Sequence, residues 1–171
     1  MAVLFAAAGA APAVARDLES HTSSQLSVAL TGEIQPQCGV SAGGRMELGE
    51  LRGNQDVSAP FNLECNVPFN INVQAANGAL AHAESPAGQA SYAGALRYSL
   101  NVTIPVAEPR GRLLRADFQS AEIVAGRAMN SGDAIAAGGG RLSLKTYALP
   151  ESGLLAGRYF ETVALTIEPQ V

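Results

Sequence analysis

Apolar and polar residues alternate along most of this chain, and the alternation predicts strand after strand. The clearest stretch is Leu26–Ile34, where Leu26, Val28, Leu30, Gly32 and Ile34 alternate with Ser27, Ala29, Thr31 and Glu33. Pro36 ends or kinks it just before Cys38. A short segment, Met46–Leu51, follows a Gly-rich turn. Val57–Cys65 sets Phe61, Leu63 and Cys65 on one face, and Pro68–Ala75 does the same with Phe69, Ile71 and Val73. Asn77-Gly78 is a turn signal. Leu96–Ile104 is a further strand, and Arg141–Leu149 and Arg158–Glu168 are the last two. In the final one Tyr159, Val163, Leu165 and Ile167 alternate with polar or small residues, with one break near Glu161.

The middle of the chain is less regular. Ala79–Ser91 reads as a mobile loop of small residues, and Pro105–Arg115 as an excursion at a sheet edge. Phe118–Val124 is a weaker strand, and Gly126–Gly140 a loop. No stretch of about ten residues has helical amphipathicity. Many short strands between Gly/Pro turns predict an all-β fold, an antiparallel β-sandwich.

Composition narrows the function classes. Charged residues make up 15% of the chain and the net charge is −4. The cations are scattered single arginines, so no basic stripe exists for nucleic acid. Residues 1–15 are apolar and uncharged and end in Ala13-Val-Ala15, a small-x-small cleavage pattern, before Arg16-Asp17. They read as a signal peptide, and about 155 residues then remain, enough for one domain with a core of its own. The usual cationic n-region is missing, which leaves open a start upstream of Met1. The expected organisation is a leader over 1–15, a polar segment over 16–25 and one domain over 26–171. The leader is too short to span a bilayer, and no membrane span is expected in the mature chain. Cys38 and Cys65 are the only cysteines. In an exported protein an even count points to a disulfide, whereas a thiolate metal site would lack histidine partners.

Catalytic chemistry finds little support. His21 and His82 stand alone in polar or Ala-rich segments, and no nucleophile-elbow serine is present. Asp117 and Asp133 fall in different loops. Gly138-Gly-Gly140 precedes a strand, whereas phosphate cradles open a helix. No cofactor, metal or catalytic residue is expected. For sugar binding, Tyr92 is the one aromatic in a loop. Tyr159, near the start of a late strand, is expected to bond back to a turn and fix a corner of the sandwich.

The strand into Cys38, the segment Met46-Glu-Leu-Gly, and Phe61-Asn-Leu-Glu-Cys65 followed by Pro68-Phe-Asn-Ile-Asn-Val form one set of motifs. The terminal run Leu155-Ala-Gly-Arg-Tyr-Phe-Glu-Thr-Val-Ala-Leu-Thr-Ile167 is a second. Together they resemble the spore coat protein U family of secreted pilin-like domains. The resemblance covers Leu26 to the C-terminus, is good at both ends and is poor between Ala79 and Arg141. It implies an immunoglobulin-like sandwich that lacks its last strand and is exported by a periplasmic chaperone and an outer-membrane usher. Each subunit would be completed by the N-terminal strand of another pilin subunit.

In that mode a donor strand brings main-chain hydrogen bonds and alternate apolar side chains to an open groove. Leu26, Val28, Leu30 and Ile34 are the candidate donor residues, with knobs about 7 Å apart. Tyr159, Val163, Leu165 and Ile167 are the candidate groove wall. Leu26–Ile34 can equally be this domain's own first strand, and the sequence leaves both readings open. The expected function is a structural subunit of a surface fibre or coat. The alternative is a self-contained secreted β-sandwich that binds a ligand or acts as a tip adhesin.

Overall fold

The computed structural model describes residues 25–42, 45–108 and 111–170. The leader expected over 1–15, and nearly all of the polar segment after it, lie outside these residues. The chain divides into two parts after Glu33. In the first part residues 25–33 form no strand, and Leu26, Val28 and Leu30 stand 88%, 70% and 91% exposed. Alternation there predicted a strand. A ladder also needs a neighbour, and none of the ladders includes these residues.

Among its described residues the second part forms twelve strands. In chain order they are β1 (Cys38–Ala42), β2 (Asp56–Cys65), β3 (Phe69–Ala75), β4 (Leu80–His82), β5 (Ala95–Leu96) and β6 (Tyr98–Glu108). There follow β7 (Leu113–Gln119), β8 (Arg127–Asn130), β9 (Ile135–Ala136), β10 (Gly140–Thr146), β11 (Tyr159–Phe160) and β12 (Val163–Pro169). One sheet has the order β1-β2-β10-β6-β7, with β9 on the end of β6. A second is β12-β3-β8, and a short third is β11-β4-β5. Every ladder between named strands is antiparallel. No helix occurs among the described residues.

The period-two pattern places the core. Phe61, Leu63, Leu100, Val102, Ile104 and Leu144 point inward from the first sheet, and Phe69, Ile71 and Val73 from the second. They share one buried cluster, an arrangement consistent with a β-sandwich. Burying an aliphatic or aromatic side chain of this size contributes about 1.5–3 kcal/mol, so this cluster dominates stability.

The predicted strands at 57–65, 68–75 and 141–149 are present with small changes of boundary, whereas those at 96–104 and 158–168 are each divided between two sheets, Leu96 falling in β5 apart from β6 and Tyr159–Phe160 in β11 apart from β12. The irregular middle differs more. Ala79–Ser91 is not simply a mobile loop: Leu80, Ala81 and His82 form β4 and are buried. The strand expected at 118–124 lies earlier, at β7, and residues 120–125 turn. The loop expected over 126–140 contains β8 and β9. At Pro105, β6 does not stop. The missing N–H is tolerated there because the β10 ladder ends at Thr103, opposite Arg141, and the Pro105 carbonyl still accepts from Ala137 N at 3.0 Å.

The break near Glu161 has a physical cause. Before it β11 pairs with β4; after it β12 pairs with β3. The Glu161 carboxylate turns back and accepts from Asn77 N and Ala79 N, both at 3.0 Å, and from Thr162 N at 2.7 Å. One side chain thus holds the 76–79 turn against the bend between two strands.

Candidate functional site

Among the described residues strand β12 is bonded on one side only. Its partner is β3, from Val163 opposite Ala75 to Pro169 opposite Phe69. Strand β1 is likewise an edge, paired with β2 from Cys38 opposite Cys65 to Ala42 opposite Phe61. The two edges adjoin, yet no ladder joins them. Two facing rows of main-chain N–H and C=O groups therefore border one side of the core.

Side chains along this border are covered on one side only. Val163, Leu165 and Ile167 point inward and pack on the core but stay half-buried. Their cross-strand partners Ala75, Val73 and Ile71 are fully or almost fully buried. On the other edge Val40 is 42% exposed, although Leu63 opposite it is 0% exposed. The result is an apolar strip flanked by two unpaired strand edges, the shape and chemistry that accept one more strand.

The four candidate wall residues separate. Val163, Leu165 and Ile167 share one row on β12, whereas Tyr159 lies in β11 beside β4. Its phenol donates to the Leu155 carbonyl at 2.7 Å and lies 3.2 Å from that of Ala93. That is the expected corner bond. Its ring meets His82 edge-on, with centroids 5.2 Å apart. Burial raises the pKa of the Tyr159 phenol. Of the donor candidates, Leu26, Val28 and Leu30 belong to the first part of the chain. Ile34 opens the second and is 86% exposed.

Cys38 and Cys65 are joined as a disulfide. It ties the first residue of β1 to the last of β2, directly across the ladder. Sequence reasoning missed the residue that reinforces it. Asn66 accepts from Gln37 N at 2.7 Å and donates through Nδ2 to Gln35 O at 2.9 Å. Its own N–H bonds Gln37 O at 3.1 Å. The available signal was an Asn directly after a cysteine, a side chain suited to binding nearby backbone.

Elsewhere the polar side chains serve the fold. The His82 Nδ1 accepts from Glu84 N and Ser85 N at 3.2 and 3.0 Å, which leaves the proton on Nε2 to reach Ala156 O at 3.1 Å. A Cβ on Gly157 would lie 2.1 Å from that Nε2, so only glycine fits there. Tyr98 is fully buried and its hydroxyl has no hydrogen-bond partner. Burial, and secondarily the Glu161 carboxylate, pushes its pKa well above the ordinary phenol value. Tyr92 is exposed. Among the described residues no three His, Cys, Asp or Glu side chains gather as a metal site, and no helix is long and apolar enough to cross a membrane.

No protein-family model matches this chain, and no curated protein matches it.

Proposed function

We propose that this chain is a secreted, pilin-like structural subunit that assembles by donor-strand exchange into a surface fibre or coat. The observation that carries this reading is the half-buried row Val163, Leu165 and Ile167 beside an unpaired main-chain edge. A strand laid between β12 and β1, which must first part from their present contact to about 9.5 Å, would bond both edges and complete an immunoglobulin-like sandwich that lacks one strand. Leu26, Val28, Leu30 and Ile34 supply a matching occupant, because they fall on one face of an extended strand as the β12 row does, with Gly32 interrupting the row between Leu30 and Ile34. These donors are exposed and outside every ladder, which supports donation over self-pairing. The quoted motifs that resemble the spore coat protein U family support the same reading. Its partners are other copies of the subunit, a periplasmic chaperone that shields the strip and an outer-membrane usher.

The test is polymerisation. The chain is expressed with and without residues 16–35, with a periplasmic chaperone present. Ladders resistant to mild denaturation are expected from the full chain and are lost on deletion. A stable monomer from both forms sinks the proposal.

A further inference from the structure

The outward face of the β12-β3-β8 sheet carries a depression of about 420 Å³, lined by Asn70, Ile71, Asn72, Ala128, Thr166 and Glu168. Register explains the grouping. Thr166, Asn72 and Ala128 form one cross-strand row, and Glu168, Asn70 and Asn130 form the next. The three-strand row ends in a methyl group, and the depression opens over it.

The two outward sheet faces treat their polar groups differently. On the first sheet they bond one another: Asn101 to Asp117, Thr103 to Asn101, Arg141 to Ser58 and Asn62 to Glu64. In the depression only Asn70 is engaged. Its Oδ1 accepts from Asn130 Nδ2 at 2.8 Å and from Gln170 Nε2 at 3.0 Å, which fixes the amide and turns its own Nδ2 free. The side chains of Asn72, Thr166 and Glu168 have no hydrogen-bond partner among the described residues. The Asn72 side chain lies over Gly126, where a larger residue would crowd its Oδ1.

We infer that this depression binds a neutral saccharide. Two amide donors, an amide acceptor, a hydroxyl and a carboxylate converge there, the mixed donor–acceptor set that neighbouring sugar hydroxyls require. Opposed side chains lie about 5 Å apart across the strands and about 7 Å apart along them, the span of one pyranose ring. The Ala128 methyl offers an apolar patch to the C–H face of the ring. Glu168 is the one charged lining residue, so phosphates and anionic sugars are repelled. All of these groups stand on strands, which fixes them before binding. The site faces away from the core, and titration of the unassembled chain reads it separately from strand exchange.

The experiment is amide chemical-shift titration of the full chain with D-glucose, D-galactose and D-mannose, each to about 50 mM, where a site of a few exposed hydrogen bonds saturates. At least one sugar is expected to give saturable shifts confined to residues 70–72, 128 and 166–168. Asn72→Ala and Thr166→Val should each weaken that binding about three- to tenfold, as loss of one hydrogen bond does. Ser143→Ala, on the other sheet, should leave it unchanged. Absence of saturable shifts with all three sugars overturns the inference. So do shifts that map elsewhere, or affinity unchanged in both site variants.

Discussion

The two open sides of the core differ in how the chain treats them. Between β7 and β8 the chain itself crosses from one sheet to the other, through residues 120–126. Ile123 in that turn is 0% exposed, and its carbonyl accepts from Ala75 N at 2.9 Å. Leu114 and Phe118 beneath it are buried. Between β1 and β12 no described strand crosses, and the inward side chains of both edges remain half-covered. One hydrophobic core thus has a sealed border and an unsealed one. At the sealed border the crossing chain lays an apolar residue, Ile123, over the core. Adjacency of two edges does not suffice.

The largest expected effect tests that contrast directly. Ile104→Ala, fully buried in β6, should cost about 3–4 kcal/mol in chemical denaturation. Leu165→Ala at the unsealed border should cost about 1–2 kcal/mol in the isolated chain, because its side chain is only half removed from water. In strand-exchanged assemblies the Leu165→Ala cost should rise toward that of Ile104→Ala. Equal costs in the isolated chain would show that the β12 row is already sealed, and the comparison would fail.

The disulfide comes next. Replacing Cys38 and Cys65 together by Ala removes a cross-link closing about 27 residues and should cost about 3 kcal/mol. The loss should be local as well as global. Hydrogen exchange should accelerate in β1 far more than in β7. Uniform acceleration would mean that the disulfide does not specifically hold the unsealed edge.

A pair of tyrosines gives the smallest and most discriminating effects. Tyr159→Phe removes the bond to Leu155 and should lower stability by about 1 kcal/mol; unchanged thermal stability would refute the corner role. Tyr98→Phe removes a buried hydroxyl with no partner and should be neutral or stabilising by up to about 1 kcal/mol. Tyr98 also sets a pH limit. Its folded pKa is raised, so its neutral form is favoured by folding. That contribution is complete below the unfolded value of about 10 and declines as pH rises above it. Alkaline unfolding should therefore move to higher pH in Tyr98→Phe.

Legibility followed the strength of the alternation. Val57–Cys65, Pro68–Ala75 and Leu96–Ile104 carry three or more apolar residues on one face, and each is a strand over most of its length, Leu96 alone falling in β5 of another sheet. Leu80–His82 and Arg127–Asn130 carry one or two and read as loop. They are strands because β11 and β3 lie beside them to supply hydrogen bonds. Leu26–Ile34 shows the converse: the best alternation in the chain, and no ladder. Of the candidate site, Val163, Leu165 and Ile167 were readable as one row. That Tyr159 stands apart from them was not, because Glu161 bends the chain between the two.

The amino-acid sequence by itself determined which faces are apolar, where the cysteines stand, and that the chain is built of strands. Those properties depend on residues two apart, or on composition, and need no knowledge of neighbours. Tertiary structure alone decided which edges meet. Pairing is a long-range event, such as Glu161 with Asn77 or Asn66 with Gln37, and it set Val40 and the β12 row at a border left half-covered.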